Sequence, residues 1–191
     1  MKTSSRSPKT KILAMFCALL CCTVCGASSE RSWVPPGQIA FRGAIYKIAF
    51  RSGDQAHVQV YEYTSNGENV ETWTTLLSVI FSRGERVSFD VLAKNFAYVA
   101  LARQPKPRLK IYDAGDALAI RVIYDFRALP DGYFESNVRK QRYSESCGGL
   151  FDISIAYKVG REVSADVQIT ENEMLATDFL SLPFATECGA D

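Results

Sequence analysis

The chain has 191 residues, 47% of them hydrophobic and 12% aromatic, which is enough for one domain with a sizeable core and excludes a disordered chain. Its 22 Lys and Arg against 21 Asp and Glu give a formal charge of +1, but without the first 27 residues the balance is 18 to 21, or −3. A globally basic nucleic-acid binder is therefore not expected, and a single histidine with no recognisable carboxylate spacing argues against a metal site or a cofactor.

Lys2, Arg6, Lys9 and Lys11 open the chain without an acidic residue, Ile12 to Val24 is an apolar run, and Cys25-Gly26-Ala27 supplies small residues before Ser28. That order is the one expected of a secretory signal over residues 1–27, leaving residues 28–191 as a single domain. The run has 13 residues, short of the ~20 that a membrane span needs, so no transmembrane span is expected once the signal is removed. A lipid-modified cysteine would need a small residue ahead of it. Cys21, Cys22 and Cys25 follow Leu20, Cys21 and Val24, which gives a lipoprotein little support. The expected location is periplasmic or secreted. Cys147 and Cys188 are the two cysteines outside the signal, and in an oxidising compartment they are expected to form a disulfide.

Ala44–Phe50 reads as a strand, and Ser52-Gly53-Asp54 turns it back into Ala56–Tyr63, where Val58 and Val60 alternate with His57, Gln59 and Tyr61. From Asn69 to Ser82 the residues Val70, Trp73, Leu76, Leu77, Ile80 and Phe81 fall on one helical face. This spacing predicts a central amphipathic helix capped by Asn69, with Trp73 in the core. A second helix is expected from Ser88, burying Leu92, Phe96, Val99 and Ala100 and stopped by Gln104-Pro105-Lys106-Pro107. Strands follow at Arg108–Asp113, Ala117–Phe126, Tyr133–Tyr143 and Phe151–Val159, separated by turn sequences. Val163–Ile169 alternates like a strand or leads into a third helix, which Thr170-Glu171-Asn172-Glu173 would cap and Pro183 would stop. The expected fold is α+β, in the order β-β-α-α-β-β-β-β-α: a mainly antiparallel sheet of about six strands with helices packed on one face.

Tyr61-Glu62-Tyr63, Gly67-Glu68 and Trp73-Thr74-Thr75-Leu76-Leu77-Ser78-Val79 together resemble a motif of small exported bacterial proteins of unassigned function. In those proteins a strand and a G-E turn precede a helix containing W-(S/T)-x-(L/M)-L-(S/T)-V. The strand order is also similar to the PsbP/Mog1-like α/β sandwich. The resemblance implies a fold and a compartment, and carries no catalytic residue onto this chain.

Candidate chemistry is sparse. His57 on the polar side of its strand, with Gln59 and Tyr61, marks an uncovered sheet face fit for binding. Arg139, Lys140 and Arg142 form a basic strand nearby, with Arg139 facing away from the other two. The expected function is an exported accessory or binding module, non-enzymatic, meeting an unknown protein or small-molecule partner outside the cytoplasm. The alternative is a small cysteine-dependent enzyme in which a free Cys147 is activated by His57. Glu68 with Glu71, and Asp113 with Asp116, sit at turns, where a carboxylate serves to cap.

Overall fold

Alternating residues that are buried on one side, and β-branched residues buried on both, assemble the strands of this chain into one antiparallel sheet. The computed structural model describes residues 33–54, 57–129 and 131–188, so the signal expected over residues 1–27 lies outside the described residues. The elements are β1 Gln38–Phe41, β2 Ala44–Gly53, β3 Val58–Thr64, β4 Thr75–Arg83, α1 Phe89–Leu101, β5 Arg108–Asp113, β6 Leu118–Asp125, β7 Tyr133–Ser144, β8 Gly149–Gly160 and α2 Ala165–Ser181. The strands form an eight-stranded sheet in the order β1-β2-β3-β4-β8-β7-β6-β5, with every pairing antiparallel. Two four-strand meanders thus meet at the β4–β8 seam, and α1 connects the centre of the sheet to its far edge.

The fold differs from the expected six strands with helices on one face, and three physical reasons account for it. The first is β4. Asn69 does accept hydrogen bonds from the Glu71 and Thr72 amides (2.8 and 3.1 Å), but this closes a single turn. The Glu68 carboxylate then takes the Thr74 amide and hydroxyl (3.2 and 2.6 Å), and the chain runs out as a strand. Leu77, Val79 and Phe81 are buried on one face of β4, while Leu76, Ser78 and Ile80 are half-buried on the other. A strand covered on both sides has a nearly continuous apolar sequence, and such a run also satisfies a helical face.

The second reason is β1, whose alternation, with Ile39 and Phe41 buried, spans only four residues. It pairs with β2 through Arg42 and Gly43, both at positive φ (47° and 77°), the backbone of a two-residue hairpin whose twist matches its strands. The third is the position of the helices. Register and alternation place Tyr46, Tyr63, Leu77, Val79, Phe81, Val138, Phe151, Ile153 and Ile155 on one face. There α2 buries Leu175, Ala176 and Phe179. α1 lies on the opposite face, over β5–β7, where Arg139 reaches its Phe96 ring (5.4 Å) and Arg103 the Tyr124 ring (5.1 Å).

The helix termini follow local chemistry. Ser88 caps α1, as expected, through the Val91 amide. α2 begins six residues earlier than the Thr170 box suggests, because Ser164 caps it through the Val167 amide (3.3 Å). The core tryptophan is Trp33, 3% exposed, with its ring 5.1 Å from Phe151 and its indole N–H donating to the Ala185 carbonyl (3.1 Å). Trp73 sits outside the buried core, in the turn before β4, under the Lys158 ammonium (3.9 Å to the ring centroid).

Candidate functional site

The β3 register decides the fate of the expected binding face. Gln59 pairs with Phe81 and Tyr61 with Val79, so both point to the covered side of the sheet and Val58 to the open one. A shift of one residue exchanges every side chain between faces. Gln59 is buried, the Tyr61 hydroxyl donates to its Oε1 (2.8 Å), and the Tyr61 ring meets Trp33 edge-on at 5.5 Å. These residues complete the core under Trp33. His57 stands apart from them in the β2–β3 turn, its side chain 80% exposed and its Nδ1 3.0 Å from Asp54 Oδ1.

The basic strand is internally engaged. Arg139 approaches Asp152 (3.3 Å) and the Phe96 ring. Lys140 lies on the other face, as alternation requires, and donates to the Leu180 carbonyl (3.4 Å). Arg142 pairs with Asp116 (3.3 Å). Of the carboxylate pairs, Asp113 caps the Gly115 amide (2.7 Å) and Asn69 orients Glu71, as turn residues do.

Cys147 and Cys188 form a disulfide, with Cα atoms 5.1 Å apart. Ser146 ties the same corner together: its hydroxyl donates to Glu187 (3.0 Å) and accepts from the Cys188 amide (3.2 Å). The bridge fastens the tail after α2 to the β7–β8 turn and holds the Ala185 carbonyl over Trp33. With its sulfur in a bridge, Cys147 presents no thiolate for His57 to activate.

The site that the folded chain does build is a cavity of about 380 Å³ between α2 and the sheet, near the β1–β2 hairpin. Phe41, Ile155, Met174 and Leu175 supply apolar wall, Tyr46 and Tyr157 aromatic wall, and Thr75, Ser136, Arg42 and Glu171 polar groups. Burial raises the Tyr46 phenol above its ordinary pKa, against hydrogen bonds from Thr75 and Ser65, so the tyrosine stays protonated. Arg42 is held by Asp178 (2.6 Å), which cancels its charge at the rim. Gln168, fully buried, donates through Nε2 to Ser136 Oγ (3.2 Å) and Glu171 Oε2 (3.4 Å). Its Oε1 is buried without a hydrogen-bond partner among the described residues.

The sequence alone does not bring the ten lining residues together, because they come from β1, the β1–β2 turn, β2, β4, β7, β8 and α2. One signal was available. Gln168 and Asn172 lie four residues apart on the same stripe of α2 as Leu175, Ala176 and Phe179, all five buried. Polar residues inside an apolar stripe need partners, and such places often adjoin a site.

A family model matches residues 33–177, most of the chain. No curated protein and no solved structure matches it, so the similarity to the PsbP/Mog1-like sandwich has no solved counterpart.

Proposed function

The chain belongs to that family, an uncharacterised bacterial one, and we propose that it is an exported, non-enzymatic binding module whose ligand sits between α2 and the sheet. The observation that carries this reading is the cavity: about 380 Å³, with apolar and aromatic walls and a few polar groups in its lining. Volumes of roughly 300–1,000 Å³ with that lining are typical of small-molecule sites. Glu171, the carboxylate in the lining, favours a ligand with an apolar body and a hydrogen-bond-donating head, an amine or a hydroxyl. The disulfide accords with an exported protein, and among the described residues no helix is long and apolar enough to cross a membrane.

Titration with 1-aminoanthracene, a flat apolar amine, tests the reading. The expected result is saturable one-to-one binding with enhanced probe fluorescence, abolished by Leu175→Trp, which fills the cavity, and weakened by Glu171→Gln. Ser136→Ala with retained folding gives a second variant in case Leu175→Trp unfolds. Absence of saturable binding, or equal binding by all the variants, overturns the proposal. The alternative, a cysteine-dependent enzyme using Cys147 and His57, would instead require a reactive thiol at Cys147 in the unreduced protein.

A further inference from the structure

The outward face of α1 is apolar where a solvent-facing helix would be polar. Tyr98 is 81% exposed, Val99 61%, and Val91 and Leu101 44% each, and Val87, just ahead of the helix, is exposed as well. Val91, Tyr98 and Leu101 follow one another at helical spacing on the side away from Leu92, Phe96 and Ala100, which face the sheet. Asp90 and Lys94 are the charged members of that outward surface, while Asn95 and Val99 border the groove that Leu92, Phe96 and Ala100 line.

Charge is segregated around the same helix. Residues 83–107 carry five basic and two acidic side chains, whereas the other described residues carry twelve basic and seventeen acidic. Arg86 lies just before α1, Lys94 in its middle, and Arg103 and Lys106 just after it. Arg103 leans over Tyr124 and Arg86 reaches Glu145, so both are held close to the helix ends. Among the described residues this segment is therefore net positive and centred on an exposed apolar helix, within a net acidic body.

We propose that α1 is an interfacial docking helix that lays Val91, Tyr98 and Leu101 into the surface of an anionic phospholipid bilayer. A convex helix face without a surrounding groove fits a soft planar medium, and tyrosine favours the boundary between headgroups and acyl chains. Lys94 can keep its ammonium at headgroup level while its stem lies along the apolar surface. Attraction of the basic flanks to anionic lipid orients the acidic body away from the membrane.

The test is co-sedimentation of the full chain with vesicles of phosphatidylcholine alone and with 30% phosphatidylglycerol. Binding is expected with the anionic vesicles, weak with the neutral ones, and reduced by 0.5 M salt. Lys94→Glu, Arg103→Glu and Lys106→Glu should each weaken binding about fivefold or more, from the known contribution of one basic residue near an anionic surface. Tyr98→Ser should weaken it at both salt concentrations, whereas Lys47→Glu on the exposed part of β2 should leave it unchanged. All these positions are exposed, so circular dichroism of each variant should match the parent. Equal binding by wild type, Tyr98→Ser and Lys94→Glu would place the contact outside α1 and overturn the proposal, as would absence of binding to anionic vesicles. Loss of an acidic protein partner in the variants, with vesicle binding absent, would assign the face to protein instead and overturn the bilayer proposal.

Discussion

Replacing both bridged cysteines, Cys147→Ser with Cys188→Ser, isolates the energetic role of the tail. The two are 41 residues apart, and the chain-entropy relation gives about 4 kcal/mol for closing a loop of that size. Domains of this length have roughly 5–15 kcal/mol of stability, so the variant should fold but lose a large part of its margin. With a urea dependence of about 2 kcal/mol per molar, the midpoint should fall by about 2 M. The assay is urea unfolding followed by tryptophan emission in a Trp73→Phe background, which leaves Trp33 as the reporter. Trp33 donates to Ala185 and contacts Phe184 in that tail, so its emission should also shift to the red early in the transition. Reduced parent should match the double variant, and reductant should not shift the double variant further. The second control matters because Cys17, Cys21, Cys22 and Cys25 are in the same chain. An unchanged midpoint on reduction, or a shift of the double variant by reductant, would refute the reasoning.

Three further substitutions test local electrostatics. Burial raises the Glu62 carboxyl above its ordinary value of 4.5, so its stability contribution is complete below that value and is lost as pH rises through the higher folded-state pKa. Glu62→Gln should therefore raise the thermal midpoint at pH 7 and converge with the parent below pH 4.5; a difference that persists in acid would contradict this. Arg121, its side chain 11% exposed, donates to Asn172 Oδ1 (2.9 Å) and reaches Glu173 (3.2 Å). Arg121→Met leaves the buried Asn172 acceptor without that donor and should cost about 1–3 kcal/mol in urea unfolding. Glu173→Gln, at a carboxylate 58% exposed, should cost under about 1 kcal/mol, and equal losses in the two variants would show that the ion pair dominates.

Much of the second meander was legible because its signals agree. In β8 the alternation of Phe151, Ile153 and Ile155 with Asp152 and Ser154 fixes both the element and its face, and Gln104-Pro105 ends α1 wherever the fold places it. The first meander failed where signals conflict. Thr75, Val79 and Ile80 carry β-branches that favour a strand, yet Leu76, Leu77, Ile80 and Phe81 also satisfy a helical stripe. Long-range pairing with β3 and β8 settles the conflict, and pairing is not contained in a local window. Once β4 is central, β3 is no longer an outer hairpin strand. Its Gln59 and Tyr61 turn inward because Phe81 and Val79 beside them do.

The surfaces show why clustering along the chain is a poor guide to clustering in space. Arg139, Lys140 and Arg142 are crowded in sequence, but the pleat sends Lys140 to one face and Arg139 to the other. Asp152 and Asp116 then stand within 3.3 Å of Arg139 and Arg142. Arg86, Lys94, Arg103 and Lys106 are dispersed over 21 residues and form no run. A helix shortens that span to 1.5 Å per residue, and the apolar stripe between them has no sheet to lie on because the sheet already holds the other side of α1. A basic strand inside a sheet meets acids from its neighbours, whereas a helix seated on one face of the sheet has no neighbour on its outer side. Three positive charges therefore stabilise the fold in β7, whereas Lys94 and Lys106 remain for an external surface at α1.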